Sequence, residues 1–335
     1  MSYSGKLYID GEDAMLTHGI FVADGSYTDI IALPKFKTVD STEWMDEDGE
    51  EYDLLEPVLA DRSIDIEFYF TNAVLAKGLF AILAEGDSAY HTFYFAEIDY
   101  TLKLRMSKAS SFNLNYKLGK FKLTLNDDFP AVPEGTPYEL GETEVWQQGY
   151  TLDDYDFSQF GVWVLSDTDD ELMMPPKVRS NLEIDNTYVA GVTYDDAQVV
   201  FESRETAISC LIDCNGIDEF WTRWNSLFSV LLQPEERTFS STTVGETFYC
   251  FYNSVKVKKF TFVGSKVWCQ FELSLTNTGY RPESRYEFLA SEDDYYIITE
   301  DGQKIYLYIG DYNYLSSEDD NYIVTEDEEL ICIND

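Results

Sequence analysis

The spacing of apolar residues along the chain predicts short β-strands joined by polar turns. Ser63 to Phe70 alternates polar and apolar residues, which is typical of a half-buried strand. Three more strands are predicted near the N-terminus, where Asp-Gly pairs separate Leu7–Ile9, Gly19–Val22 and Asp29–Leu33. The pattern therefore favours a mainly β fold.

Two stretches instead repeat their apolar residues at helical spacing. Asn72 to Glu85 is predicted to be a helix that stops at Gly86, and a second helix, capped by Asp218, is predicted to end before Pro234. The predicted core face of the first consists of Leu75, Leu79, Ile82 and Leu83. That of the second is rich in aromatic residues, which at this spacing indicate a core: Phe220, Trp221, Trp224, Leu227, Phe228 and Leu231.

The chain repeats one long segment at a fixed offset. When it is shifted by 142 residues, the segment from Pro34 to Ile66 falls on Pro176 to Ile208 with eight identities in 33 positions. Lys37 falls on Arg179 and Glu43 on Asp185, so charges are kept as well. Phe121–Leu125 likewise matches Phe271–Leu275, with eight extra residues in the second copy. Self-similarity of this kind predicts two copies of one domain.

Domain boundaries follow from this repeat. The chain is predicted to consist of two β domains, each with one α-helix, a proline-containing linker between them and an acidic C-terminal tail. The predicted ranges are 1–130, 131–157 for the linker, 158–283 and 284–335. In the tail, residues 289–301 recur as 315–327 with ten of thirteen positions identical, which predicts a strand flanked by acidic turns in each unit.

The charge is extreme, with 63 acidic against 23 basic residues and a net charge of −40. Such a chain is a poor partner for nucleic acid, because binding DNA requires Lys and Arg to displace condensed counterions. It is equally unsuited to an anionic membrane surface. No apolar run approaches 18 residues and the N-terminus lacks a signal-peptide pattern, so neither a membrane span nor secretion is predicted.

No residue pattern indicates a reaction, and the sequence predicts no catalytic, cofactor-binding or metal-binding residue. Two histidines, His18 and His91, stand beside no nucleophile motif. The five cysteines lie in the second half without metal-ligand spacing, so buried reduced thiols are expected. Asp46 to Gly49 resembles part of a calcium loop, but its first and twelfth positions hold Trp44 and Leu55. The acidic turns 292–294 and 318–320 are weak calcium candidates.

Several short elements resemble the N-terminal domain of distal tail proteins of tailed bacteriophages. They are Leu7–Asp13, Gly19–Val22, Ala32–Lys35 and the strand that begins Arg62-Ser63-Ile64-Asp65-Ile66. The second copy fits less well, since Thr206 and Ala207 replace Ile64 and Asp65 and no clear Gly-x-Asp precedes Pro176. The resemblance implies a tail-tube-like fold, a β-sandwich or split barrel with one helix, in a ring through which DNA passes. It carries over no functional residue.

The resemblance implies a structural virion component of a phage tail, assembled in the host bacterial cytoplasm. The favoured position is the distal ring that joins the tail tube to the tip, in contact with tube, hub and fibre proteins. A tail-tube ring is the alternative, since a typical distal tail protein carries one such domain. The 25 Tyr, 22 Phe and 6 Trp also leave a carbohydrate-binding module open, and so many carboxylates leave an acidic hydrolase open.

The resemblance implies sixfold rings in which each subunit contributes one domain, and a chain with two copies could fill such a ring in two ways. Three chains could alternate their domains around one pseudo-sixfold ring, or six chains could stack two rings. Alternation would let interface residues change only in matched pairs, whereas the copies have diverged widely, so a hexamer is favoured over a trimer. The loops 38–51 and 180–193, long and polar in both copies, are predicted to make contacts between subunits or rings.

Overall fold

In a computed structural model, the chain forms two compact units, Met1–Tyr280 and Arg281–Asp335. The structure describes residues 6–23, 25–44, 48–85, 89–114, 118–136, 148–179, 183–185, 187–188, 190–194, 199–278, 286–288, 305–308 and 314–317. Strands predominate, which confirms the mainly β fold class.

The first half of the larger unit is built on one antiparallel sheet of seven strands, in the order β2-β1-β7-β8-β9-β6-β3. Strands β4 and β5 form a separate hairpin. The strands are β1 (Leu7–Ile9), β2 (Glu12–Asp13), β3 (Ile20–Val22), β4 (Ser41–Thr42), β5 (Glu51–Tyr52), β6 (Arg62–Phe70), β7 (Tyr90–Phe95), β8 (Tyr100–Leu114) and β9 (Gly119–Asp127).

The second half repeats this topology strand for strand, with a sheet in the order β11-β10-β16-β17-β18-β15-β12 and a separate β13–β14 hairpin. Its strands are β10 (Tyr150–Leu152), β11 (Tyr155–Asp156), β12 (Trp163–Val164), β13 (Glu183–Asp185), β14 (Val192–Tyr194), β15 (Arg204–Asn215), β16 (Arg237–Ser241), β17 (Glu246–Val263) and β18 (Lys266–Asn277). The segments that repeat in sequence at an offset of 142 residues therefore belong to two halves of the same topology.

Each half contains more helical structure than the single helix predicted for it. The helices are α1 (Ala14–His18), α2 (Tyr27–Ile31), α3 (Ala73–Glu85), a 3-10 turn (Phe157–Phe160), α4 (Asp167–Leu172) and α5 (Ile217–Leu231). The strand predicted at Asp29–Leu33 is wrong, because most of this segment lies in α2. Tyr27, Ile30 and Ile31 are all buried, and their spacing places them on one side of a short helix.

The long helices α3 and α5 fall where they were predicted, but the buried face of α3 differs. Leu79 and Leu83 are buried together with Ala76, whereas Leu75 and Ile82 are 42% and 43% exposed. The predicted cap of α5 is also two residues too late, since Gly216 is the N-cap and Asp218 lies within the first turn of the helix. The aromatic stripe of α5 is confirmed as core, apart from the half-buried Trp221.

The core of each half lies between the sheet and these helices. Strand β6 alternates as predicted, burying Ile64, Ile66, Phe68 and Phe70. The largest fully buried side chains of the described residues are aromatic in both halves. Most of the described aromatic content that suggested a binding module therefore serves as packing, where each ring buries a large apolar area.

The second sheet begins before the predicted boundary at residue 158. Strands β10 and β11 lie inside the range 131–157 that was assigned to the linker, and they occupy the positions of β1 and β2. Asp153 is the counterpart of Asp10: each has a positive φ, and each carboxylate accepts a hydrogen bond from the amide of a facing threonine. The offset here is one residue larger than 142, so a fixed-offset comparison misses this match.

The unit Arg281–Asp335 contains a three-stranded antiparallel sheet of β19 (Tyr286–Phe288), β20 (Ile305–Tyr308) and β21 (Tyr314–Ser317). Both strands predicted in the 26-residue repeat lie largely outside the described residues, as do the acidic turns 292–294 and 318–320.

Candidate interaction surface

The two halves present the same surface elements, which allows their contacts to be compared position by position. After the short helix, Lys37 donates its amide hydrogen to Val58 O and Ala60 donates to Lys35 O. The counterparts Arg179 and Glu202 make the same bonds to Val200 and Lys177. The hairpins agree as well, because Ser41 faces Tyr52 as Glu183 faces Tyr194.

Two surfaces of each half are used below. The hairpin face consists of α2, residues 32–36, the β4–β5 hairpin and the β7–β8 turn, or of α4, residues 174–178, the β13–β14 hairpin and the β16–β17 turn. The strand face consists of β8 and α3 with Lys37 and residues 59–61, or of β17 and α5 with Arg179 and residues 201–203. In this chain the hairpin face of the first half packs on the strand face of the second.

The β4–β5 hairpin holds the second half through its backbone. Gly49 N–H donates to Phe201 O at 2.9 Å, and Glu50 N–H donates to Thr278 O at 3.2 Å. In return, Phe201 N–H donates to Asp48 Oδ1 at 2.9 Å. Gly49 has φ +74°, a conformation that glycine adopts without steric cost. The loop 38–51 thus contacts the other half of the same chain, while its predicted contact between subunits stays a prediction.

Arg179 binds the hairpin on the loop side of its two strands. Its guanidinium donates to Gly49 O at 2.6 Å and to Trp44 O, and it lies 3.1 Å from Glu43 Oε1. The side chain is only 11% exposed. A guanidinium suits this position because its fixed fork of donors can reach several acceptors at once.

Aromatic rings fill the middle of the contact. The hydroxyl of Tyr252, on β17, donates to Pro34 O at 3.1 Å, and its ring lies edge-on to Phe36 at 5.6 Å. Burial raises the pKa of Tyr252, so the hydroxyl stays protonated and able to donate. Tyr52 packs against Phe251 at 4.8 Å. Such pairs contribute beyond their buried area.

Helix α5 completes the contact at the far side through Trp221. Its indole Nε1–H donates to Ile98 O at 2.6 Å, and its ring stacks on Tyr100 at 4.6 Å. The half-buried position of Trp221 within the core stripe is explained by this role: the ring faces the neighbouring half rather than its own sheet.

The residues weighed as chemical candidates have structural partners here. Asp48, from the calcium-loop resemblance, accepts the amide hydrogen of Phe201, while Asp46 and Glu47 lie outside the described residues. His91 Nδ1 lies 2.6 Å from Asp10 Oδ2. Burial of Asp10 opposes ionisation, yet the bonds from His91 and Thr92 hold the pKa of its carboxyl below the ordinary value. Burial lowers the pKa of His18.

The four described cysteines are free and buried: Cys210, Cys214, Cys250 and Cys269. Burial raises the pKa of every one of these thiols, to about 11 for Cys214. Since the thiolate is the reactive form, these side chains are inert in the folded protein. Within the described ranges, no group of three or more His, Cys, Asp or Glu residues is placed to hold a metal ion.

An open cleft of about 850 Å³ borders the hairpin. Its lining is rich in carboxylates, with Asp40, Glu51 and Asp53 from the first half and Glu235 and Glu236 from the second. None of these five carboxyls is paired with a base in the cleft lining, which includes neither histidine nor cysteine nor lysine. The cleft lies at the rim of the contact between the two halves.

Comparison with known proteins identified no matching family, and no curated protein matches the chain. Among the described helices, none is both long and apolar enough to cross a membrane. The sequence predicted contacts for the loop 38–51 but did not identify the surface that the loop binds. Its signal was the repeated basic and acidic pair of Lys37/Arg179 and Glu43/Asp185, whose significance depends on knowing that Glu43 and Arg179 meet.

Proposed function

We propose that the protein is a structural subunit of a bacteriophage tail, with the distal ring as the favoured position and a tube ring as the alternative. The observation that carries the proposal is the contact between the halves. Two halves of the same topology bind each other through unlike faces, which is the type of heterologous contact that generates closed rings.

The electrostatics of the chain support a conduit for DNA. A net charge of −40 makes binding to the phosphate backbone unfavourable, so DNA would pass along such a ring without adhering. Specific recognition of nucleic acid is not part of the proposal. Partner proteins are other components of the tail.

Negative-stain microscopy of the purified protein provides the first test. We expect rings with a central opening, since the proposed role requires a channel wide enough for duplex DNA. Particles without a channel at any concentration contradict the proposal.

Localisation in the virion is the decisive test. Phage particles encoded by the same genome should contain the protein, and antibody labelling should place it at the end of the tail opposite the head for a distal ring. Labelling along the whole tail would instead assign the tube. Absence of the protein from purified particles overturns both assignments.

A further inference from the structure

We propose that the hairpin face of the second half binds the strand face of the first half of another copy of this chain, so that the chains close a ring of alternating domains. The sixfold ring that the resemblance implies would then contain three chains. The inference rests on the proposed function and specifies its assembly. It extends the contact seen inside the chain to the two equivalent faces that this contact leaves unused.

The unused hairpin face exposes apolar side chains where the first half buries them. Met173, Met174 and Val178 are 68%, 60% and 42% exposed. The counterparts of Met173 and Val178 in the first half are Ile31 and Phe36, which are 2% and 7% exposed. A contiguous apolar face rimmed by polar residues is typical of a protein interface.

The ionic contact of the internal interface is repeated in the unused faces. Glu43 pairs with Arg179 at 3.1 Å across the two halves. Lys37 occupies the position of Arg179 on the first half and is exposed. The hairpin register puts Asp185 at the position of Glu43. Asp185 and Lys37 thus replace Glu43 and Arg179, and the two charges remain opposite.

Two further contacts keep complementary chemistry. Met106 faces Leu125 as Tyr252 faces Leu275, so the ring pair of Phe36 and Tyr252 becomes the apolar pair of Val178 and Met106. Helices α3 and α5 align through Phe80 and Trp224, which pack on Phe121 and Phe271. On that alignment the counterpart of Trp221 is Lys77.

Lys77 would face Glu246, because Glu246 follows the β16–β17 turn as Tyr100 follows the β7–β8 turn. The stacked pair of Trp221 and Tyr100 thus becomes an opposite-charge pair. In an alternating ring, a residue on one face can change only together with the residue that it contacts on the facing half. Contacts whose two residues have both changed and remain complementary meet this requirement.

One contact is not kept. Tyr27 packs on Phe260 at 6.3 Å, whereas the counterparts are Asp169 and Leu114, and Leu114 is 73% exposed. The contact between chains is therefore weaker than the contact within the chain, and assembly should depend on concentration. Sequence divergence favoured six chains with stacked rings, but the matched contacts favour alternating domains, and hence three chains in a sixfold ring.

Cross-linking across the proposed interface tests the pairing directly. In a Cys332→Ser background, Met106→Cys and Val178→Cys are introduced into one chain and treated with a short bifunctional maleimide. The four buried native thiols have raised pKa values and should not react. We expect covalent dimers and trimers on denaturing gels, with no larger species. Met106→Cys paired with Val263→Cys, at the exposed tip of the β17–β18 hairpin, is the matched control and should remain monomeric.

Charge reversal tests the ionic contact independently. Lys37→Glu should weaken assembly by about tenfold or more, because like charges at an interface are strongly unfavourable. Lys37→Glu combined with Asp185→Lys should restore it. Lys266→Glu makes the same charge change on an exposed lysine at the start of β18, outside both faces, and should leave assembly unaffected. Light scattering gives the mass, expected at three times 38.6 kDa.

The outcomes separate this inference from the proposed function. A six-chain ring without the 106–178 cross-link overturns the inference and leaves the tail role intact. A cross-linked trimer that is absent from virions supports the inference and overturns the tail role. A monomer at all concentrations, an open-ended filament, or loss of assembly that the double reversal fails to restore overturns the alternating ring.

Discussion

At the scale of single residues, Arg62 joins the sheet of the first half to helix α2. Its guanidinium lies 3.0 Å from Asp127 Oδ2 and donates to Ile30 O and Ala32 O. Both side chains of the ion pair are almost completely buried, at 10% and 3% exposure. A charge in such a site is stable only while its partner is present.

Replacing Arg62 with methionine should destabilise the protein by about 3–5 kcal/mol, because it leaves the buried carboxylate of Asp127 without a counter-charge. Denaturant unfolding gives the change in free energy. Arg105→Met removes a more exposed pair with Asp128 and should cost much less, because exposed ion pairs are screened by water. Equal losses in the two variants would contradict the role assigned to burial. Adding Asp127→Leu to Arg62→Met should recover part of the loss.

His18 provides a pH-dependent term. Burial lowers its pKa, only partly opposed by Glu12 and by a bond with Leu75, so the folded state favours the neutral ring. The unfolded chain then binds more protons as pH falls through about 6.5, and stability is lost in that direction. We expect the free energy of unfolding to fall less between pH 7.5 and 5.5 in His18→Gln than in the parent protein.

Asp10, Asp65 and Asp128 have lowered pKa values and lose their contributions at more acidic pH. Burial raises the pKa of Asp29, but its contribution is present in both the parent protein and His18→Gln and cancels in their difference. The chain has only two histidines, so NMR titration with His91→Gln as the assignment variant gives the folded-state pKa of His18. A value at or above the ordinary histidine pKa would contradict the prediction.

At the scale of elements, α3 and α5 pack at equivalent positions on the two sheets but contact different surfaces. Helix α3 packs on its own sheet and exposes Leu75 and Ile82. Helix α5 buries one face in its sheet and directs Trp221 to the first half. A helix that serves two surfaces needs two apolar stripes, which explains why its aromatic content exceeds that of α3.

Truncating Trp221 should therefore weaken the joint between the halves. Trp221→Ala should cost about 3 kcal/mol, as is typical for removing a large packed aromatic side chain. Trp221→Phe keeps the stacking on Tyr100 and loses the bond to Ile98 O, so it should cost about 1 kcal/mol. Trp268→Ala, on the partly exposed side of β18, is the control and should cost less than Trp221→Ala. Unfolding free energies check the assignment: Trp221→Ala should lose more stability than either Trp221→Phe or Trp268→Ala.

At the scale of the whole molecule, the excess of acidic residues opposes compactness. A net charge of −40 produces self-repulsion that the folded state concentrates in a smaller volume. Salt screens this repulsion, since the Debye length falls from about 30 Å at 0.01 M to about 3 Å at 1 M ionic strength.

The melting temperature should consequently rise by several degrees between about 0.01 M and 0.5 M sodium chloride at neutral pH. The buried Arg62–Asp127 pair is screened much less than surface charges, so its contribution should persist. Repeating the series with sucrose at matched osmolality separates screening from solvent exclusion. A melting temperature that falls with salt would show that attractive ion pairs outweigh the net repulsion.

The sequence by itself determined the mainly β class, the duplication and the positions of the long helices. These features depend on local period and self-similarity: β6 alternates at period two, the stripe of α5 follows helical spacing, and Gly49, Tyr52 and Arg62 recur at one offset. Burial on one face imposes such patterns directly on neighbouring residues, so they are visible without the fold.

Only the tertiary structure decided how the repeated parts are used. The segment Asp29–Leu33 has a strand-like composition but lies mostly in α2, because its place beside β6 favours a short helix that buries one side. Strands β10 and β11 were not recognised in a linker-like stretch, since β16, which joins β10 to the rest of the sheet, is distant in sequence. The pairing of Glu43 with Arg179 joins residues 136 positions apart, and no local pattern encodes which half each charge will face.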